Sequence, residues 1–192
     1  MRKEKFISII FKTNLKDSDV IILVDFLKGL IGNYINPTFV DGVLTVLFNA
    51  ESKIDFKEII QTLNEDFYMT SVLFESGVLY SGIDKNLYME FITSNKSKIL
   101  ESNKLYLSES DLIKNKIYNE IVSLNILKEY YHDFEMKKIV KMFLENNMNI
   151  SKASAVLYMH RNTLMYKIEN FINVTGYDIK KFQDAFVIYH II

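Results

Sequence analysis

The side chains best suited to recognition chemistry gather near the C-terminus. They form the run His160-Arg161-Asn162-Thr163, with Tyr166 and Lys167 one turn further on and Ser151 upstream. Arg161 is one of two arginines, the other being Arg2, in a chain whose positive charge is otherwise lysine. A guanidinium is a planar fork of donors that grips a phosphate or a guanine edge in a way an ammonium cannot. Asn bonds adenine bidentately, Thr is a small donor that also meets the thymine methyl, and Lys neutralises phosphate. Backbone N–H groups at the start of a helix near Arg161 add an anion site. These types suit base edges and phosphates, provided that a helix presents them on one face.

Composition narrows the alternatives. The 192 residues are 49% hydrophobic and 24% charged, a globular balance sufficient for one large domain or two small ones. There are no cysteines, which excludes disulfides, thiolate metal sites and cysteine nucleophiles. His132, His160 and His190 are far apart, and none has a ligand partner at i+4, so neither a metal nor a cofactor is expected. The most apolar stretch, VIILVDFLKGLIG, is interrupted by Asp25 and Lys28, and the basic start MRKEKFISIIFKTN has too short an apolar run for a signal peptide. A cytoplasmic protein without a membrane partner is the expectation. Net charge is −1 but unevenly spread: residues 135–181 hold eight basic and four acidic side chains, against fifteen and twenty elsewhere. Such an asymmetry suggests a polyanion partner for the C-terminal part alone.

The N-terminal half alternates between strand and helix periods. KFISIIFKT reads as a buried strand, and DSDVIILVDFLKGLIGNY as a helix capped by Asp17 or Ser18. PTFVDGVLTVLFN reads as a hairpin about Asp41-Gly42, since a type I′ turn needs positive φ at both central residues. DFKEIIQTLNEDF is a second helix, YMTSVLFESGVLY a further strand and DKNLYMEFITSNKSKILES a third helix. The order β-α-β-β-α-β predicts an α+β domain, an antiparallel sheet with helices on one face. In layout the segment FVDGVLTVLFNAESKIDFKEIIQTL resembles the GGDEF domain of diguanylate cyclases. The signature itself is missing, with only VDG at the turn, and Lys12 and Thr13 stand where such cyclases carry a metal-binding acid. The resemblance therefore implies a degenerate relative that is not an enzyme. Residues 1–104 are assigned to this domain. Residues 105–133 are assigned to a linking or dimerisation helix, read from SESDLIKNKIYNEIVSLNILKEYYH; an ordinary core helix fits the same pattern.

Residues 134–192 read as an all-α domain. FEMKKIVKMFLENN is amphipathic, and NISKASAVLYM is a short helix with Ser151 as its cap, built on Ala153, Val156 and Leu157. RNTLMYKIENFINVTG follows, with Leu164, Ile168, Phe171 and Ile172 inward and Gly176 as a stop. DIKKFQDAFVIYHII closes the chain, with Asp178 as cap and Phe182, Ala185, Phe186 and Tyr189 as its apolar stripe. Two short helices joined by a tight turn, the second polar on its outer face, make a helix-turn-helix; a plain helical bundle is the alternative. Asn149, Ser151, Leu157, His160 to Leu164, Tyr166, Thr175, Gly176 and Asp178 resemble, position by position, the C-terminal helix-turn-helix of PucR-type regulators, the sugar-diacid and purine-catabolism group. The stretch is similar, more distantly, to the nucleoid protein Fis. The resemblance implies a sequence-specific transcription regulator that binds double-stranded DNA as a homodimer, through Ser151, His160, Arg161, Asn162, Thr163, Tyr166 and Lys167. It also implies an N-terminal domain for dimerisation or signal sensing, without identifying a small-molecule effector. The sequence departs from the family at Met165, usually basic, and at Lys167, usually Arg. A protein-interaction adaptor that has lost DNA binding is the competing reading.

Overall fold

The computed structural model describes residues 3–32 and 37–192 and divides the chain into two compact units, Met1–Ile121 and Val122–Ile192. Arg2 and the last two residues of the helix expected over 17–34 lie outside the described residues.

The first unit is built on a five-stranded sheet. β1 (Glu4–Phe11), β2 (Pro37–Val40), β3 (Val43–Asn49), β4 (Ser71–Glu75) and β5 (Tyr106–Ser108) are ordered β2-β3-β1-β4-β5. The first four pair antiparallel and β5 joins β4 in parallel. Asp41 and Gly42 both have positive φ, 52° and 74°, so the β2–β3 connection has the positive φ pair of a type I′ turn. α1 (Asp17–Ile31) and α2 (Phe56–Glu65) cover one sheet face, where Leu23, Leu27, Ile60 and Leu63 meet Ile7, Ile9, Leu44 and Leu73. α2 starts at Asp55, whose carboxylate accepts the Lys57 and Glu58 N–H groups. At α1 neither Asp17 nor Ser18 is the cap: that position is Lys16, and the Asp19 carboxylate accepts its N–H at 3.2 Å.

Helices lie on both faces of the sheet, not on one. The third helix is split into α3 (Lys85–Ser94) and α4 (Lys96–Leu100) at Asn95. Tyr88 of α3, fully buried, packs on Phe6 and Phe74 at centroid distances of 5.1 and 6.3 Å. These two residues alternate with the α1/α2-facing ones along their strands, so they point to the opposite face. The same face buries a Ser8–Thr45 hydroxyl pair at 2.8 Å.

The helix expected between the domains, within residues 105–133, is not one helix. Tyr106–Ser108 is taken up as β5, and α5 (Glu109–Lys114) follows, with Ser108 and Asp111 forming a capping box. Lys116 then adopts φ 57°, while Ile117 N–H reaches Leu112 C=O (2.8 Å) and Lys116 N–H reaches Ile113 C=O (3.0 Å). This is a Schellman stop built on a lysine. The apolar step from Leu112 to Ile117 is five residues, off the helical period, and the chain restarts at α6 (Glu120–Leu127) before a 3-10 turn at Lys128–His132.

The second unit continues from α6 through α7 (Phe134–Glu145), α8 (Ile150–Val156), α9 (Arg161–Thr175) and α10 (Phe182–Ile191). Its core is formed by Val122, Ile126, Ile139, Val140, Phe143, Ala153, Leu164, Ile168, Phe171, Val187 and Ile188, all buried. Two details differ from the periodic reading. Asp178 does not cap α10, which starts at Lys181–Phe182; its carboxylate instead accepts the Lys180 N–H within the preceding turn. The inward stripe of α10 is Ala185, Val187, Ile188 and Ile191, so of the expected stripe Phe182 and Tyr189 face out. Among the described residues no helix is long and apolar enough to cross a membrane, and no group of acids and histidines could hold a metal ion.

Candidate nucleic-acid interface

The turn between α8 and α9 is a helix stop and a helix start fused in four residues. α8 ends in a Schellman motif: Met159 N–H donates to Ser154 C=O (2.9 Å) and Tyr158 N–H to Ala155 C=O (3.2 Å). The left-handed residue that this motif needs is Tyr158, at φ 50°, with its ring wholly in solvent. His160 then returns to extended backbone and caps α9, its Nδ1 accepting the Asn162 N–H at 3.2 Å. In the neutral ring that assigns the proton to Nε2, which is left to donate outward.

The other end of the motif is equally explicit. Thr175 Oγ1 donates to Phe171 C=O at 2.7 Å and accepts the Tyr177 N–H at 3.2 Å, while Gly176 takes φ 81° and ends α9. The Thr-Gly-x-Asp run is therefore a C-terminal stop and the His-Arg-Asn-Thr run an N-terminal start, for one fifteen-residue helix held down by Leu164, Ile168 and Phe171.

With that stripe buried, Arg161, Asn162, Thr163 and Tyr166 are exposed together on the first turns of α9, Tyr166 by 73%. Among the described residues no ion pair engages the Arg161 guanidinium. Lys167 is half-buried and paired with Glu135 of α7 at 3.3 Å. Asn170 donates to the Tyr130 hydroxyl at 2.7 Å and pins α9 to the 3-10 turn. Ser151 does not cap α8. Asn149 does, accepting the Lys152 N–H at 3.1 Å, and Ser151 stands exposed in the first turn with its carbonyl accepting from Ser154 Oγ. Val156 is likewise exposed, leaving Ala153 and Ser154 as the buried positions of α8.

Charge in this unit is more polarised than its count. Three of the four acids within 135–181 are taken by lysines of the same segment: Glu135 by Lys167, Glu169 by Lys180 and Asp178 by Lys181. Lys137 lies 4.7 Å from the Tyr131 ring centroid, and burial lowers its pKa. Lys138, Lys141, Lys152 and Arg161 are the exposed cations that none of these pairs engages. Nothing in the sequence singles out Lys138, Lys141 or Lys152, because a lone lysine on a polar face carries no signal; only the pairing of its neighbours distinguishes it.

Residues 137–190 match the PucR C-terminal helix-turn-helix domain. Two curated proteins of Bacillus subtilis (strain 168) are similar: the uncharacterized protein YxkF, 42% identical over 57 residues, and the DNA-binding transcriptional activator AdeR, 32% identical over 69. These stretches are 30% and 35% of this chain, but only 19% and 16% of those relatives. Among solved structures, a regulator of polyketide synthase expression from Bifidobacterium adolescentis is similar in fold, with TM-score 0.53 and 16% identity. That likeness covers 100% of this chain and 79% of the other.

Proposed function

We propose, starting from the PucR-type helix-turn-helix domain that residues 137–190 form, that this protein is a transcription regulator that binds specific double-stranded DNA sites as a homodimer. The observation that carries the reading is the outer face of α9: Arg161, Asn162, Thr163 and Tyr166 stand exposed together at the N-terminal end of a helix whose other face is buried. A helix so placed enters the major groove N-terminus first, with Asn162 and Thr163 against base edges and Arg161 on a guanine or phosphate. His160 donates from Nε2 to a backbone oxygen, and Ser151 and Lys152 at the start of α8 meet phosphate. One such helix makes too few contacts for useful specificity, so two copies on half-sites about one helical turn apart are required. The DNA partner would place the protein in the cytoplasm.

The N-terminal unit is read as a degenerate GGDEF-like domain for dimerisation or signal sensing. Its split β-α-β order and the Asp41-Gly42 hairpin support this, as do Lys12 and Thr13 following β1 where metal-binding acids would be needed for catalysis.

Arg161→Ala or Asn162→Ala should each cost about 1–3 kcal/mol of binding to a fragment selected from the organism's own genome, with unchanged thermal unfolding. Unchanged affinity in both would remove α9 from the groove. The adaptor reading draws on Met165, half exposed where the family is usually basic, and on the engaged Lys167. It predicts no DNA binding even at low salt, whereas a DNA-binding domain weakens steeply as salt rises.

A further inference from the structure

The outward face of α10 carries apolar side chains that the core of its own unit does not use. Phe182 is 76% exposed and Tyr189 47%, with the half-buried Phe186 between them at i, i+4 and i+7. The stripe is about 10 Å long at the helical rise per residue. Leu144 and Met148, at and just beyond the end of α7, extend it into an open groove of about 350 Å³. The two ends of the stripe differ in charge. At the C-terminal end Glu145 is exposed, with Tyr189 Oη at 3.5 Å from its carboxylate. At the N-terminal end Lys181, its side chain 74% exposed, pairs locally with Asp178 at 3.4 Å.

We propose that this face is where a second copy of the chain docks, α10 against α10 in antiparallel, two-fold pairing. The inference deepens the homodimer of the proposed function and rests on that reading. Two-fold contacts use the same patch on both partners, so the patch must complement itself. This one does so in a single orientation: antiparallel pairing brings each Lys181 to the other copy's Glu145, and each Phe182 to the other's Tyr189. Parallel pairing would set lysine beside lysine and glutamate beside glutamate. Exposed ion pairs of this kind add little affinity but select register and partner. A pair of ten-residue helices buries less than the roughly 800 Å² per partner of a stable interface. The contact is therefore weak in dilute solution, and a covalent trap reads it best.

The chain has no cysteines, so introduced ones report cleanly. In the full chain under mild oxidation and without DNA, Phe186→Cys, near the two-fold axis, should form disulfide-linked dimers with itself. Mixing Phe182→Cys with Tyr189→Cys should yield more mixed dimer than either variant yields alone. Glu129→Cys, exposed in the 3-10 turn, should stay monomeric. Adding Lys181→Glu to Phe186→Cys should lower cross-linking several-fold, and adding Glu145→Lys as well should restore it. Circular dichroism checks the folding of each variant; Phe186 is half-buried and the other changed side chains are exposed. The proposal is overturned if Glu129→Cys links as readily as Phe186→Cys, if Phe182→Cys links mainly to itself, or if Phe186→Cys does not link. Because no DNA is present, such a failure leaves the groove assignment of α9 standing, and that assignment has its own test in Arg161→Ala.

Discussion

Replacing Glu135 with Gln should release Lys167 and sharpen the salt dependence of DNA binding. The Lys167–Glu135 contact is 3.3 Å long, with the lysine side chain 34% exposed and the glutamate 75%. A pair this open contributes about 0–1 kcal/mol to folding. Glu135 also lies in the first turn of α7, where an acid favours the helix dipole by about 0.3–1 kcal/mol. The stability cost of Glu135→Gln should therefore stay below about 2 kcal/mol. A freed Lys167 neutralising one more phosphate steepens the slope of log affinity against log salt by about 0.9. Between about 50 and 200 mM salt the variant should then lose roughly 3.5-fold more affinity than the parent. Fluorescence anisotropy with a selected genomic fragment measures the slope directly. Lys167→Ala supplies the background: on it, Glu135→Gln should change the slope no further. The reasoning is refuted if Glu135→Gln leaves the slope unchanged, or if it steepens the slope equally with and without Lys167, which would mean that only long-range charge was altered.

Three stability predictions follow from the described contacts. Ser8→Ala or Thr45→Val alone should cost about 1–3 kcal/mol in denaturant unfolding, because each leaves the other buried hydroxyl unpaired, whereas the double substitution should cost less than the sum. At Asp111 burial acts to raise the carboxyl pKa, but hydrogen bonds from Lys104 and from the Ser108 N–H and hydroxyl outweigh it and hold the value below the ordinary 3.8. A depressed carboxyl stabilises the fold above the unfolded pKa and loses that contribution as pH falls through the folded value. The stability gap between the parent and Asp111→Asn should thus be full at neutral pH and close in the acid range below about 4, as read by unfolding at a series of pH values. Tyr158→Gly should stabilise the second unit by up to about 1 kcal/mol, since a left-handed residue with an idle, exposed side chain costs backbone energy that glycine does not. Thermal unfolding of the variant checks the sign.

How far the sequence could be read depended on how local each signal was. The Asp41-Gly42 hairpin, the Asp55 start of α2, and the Gly176 stop of α9 are short-range chemistry, and all three stand where the sequence placed them. The inward stripe of α9 was also legible, because Leu164, Ile168 and Phe171 recur at the helical period with polar residues between them. α10 was misread for the opposite reason: it is apolar nearly all round, so periodicity could not tell the core-facing Val187 and Ile188 from the outward Phe182 and Tyr189. The cap expected at Ser151 falls instead on Asn149, since both residue types cap well and only the hydrogen bond that Asn149 accepts from Lys152 N–H decides. The supposed long helix within 105–133 failed at Tyr106–Ser108, which an edge of the sheet recruited, and at Lys116, a left-handed stop without a glycine to announce it.

The sequence by itself determined that two kinds of folding unit follow one another, and that His160 to Thr163 open a helix with a polar outer face. Both are consequences of spacing along one chain: helical and strand periods, a capping side chain, a glycine free to take positive φ. Tertiary structure alone decided which cations of the second unit are drawn into pairs with distant carboxylates. Whether Lys167 or Lys180 is paired depends on carboxylates that the fold brings within about 4 Å. Glu135 lies thirty-two residues from Lys167, and no local pattern couples them.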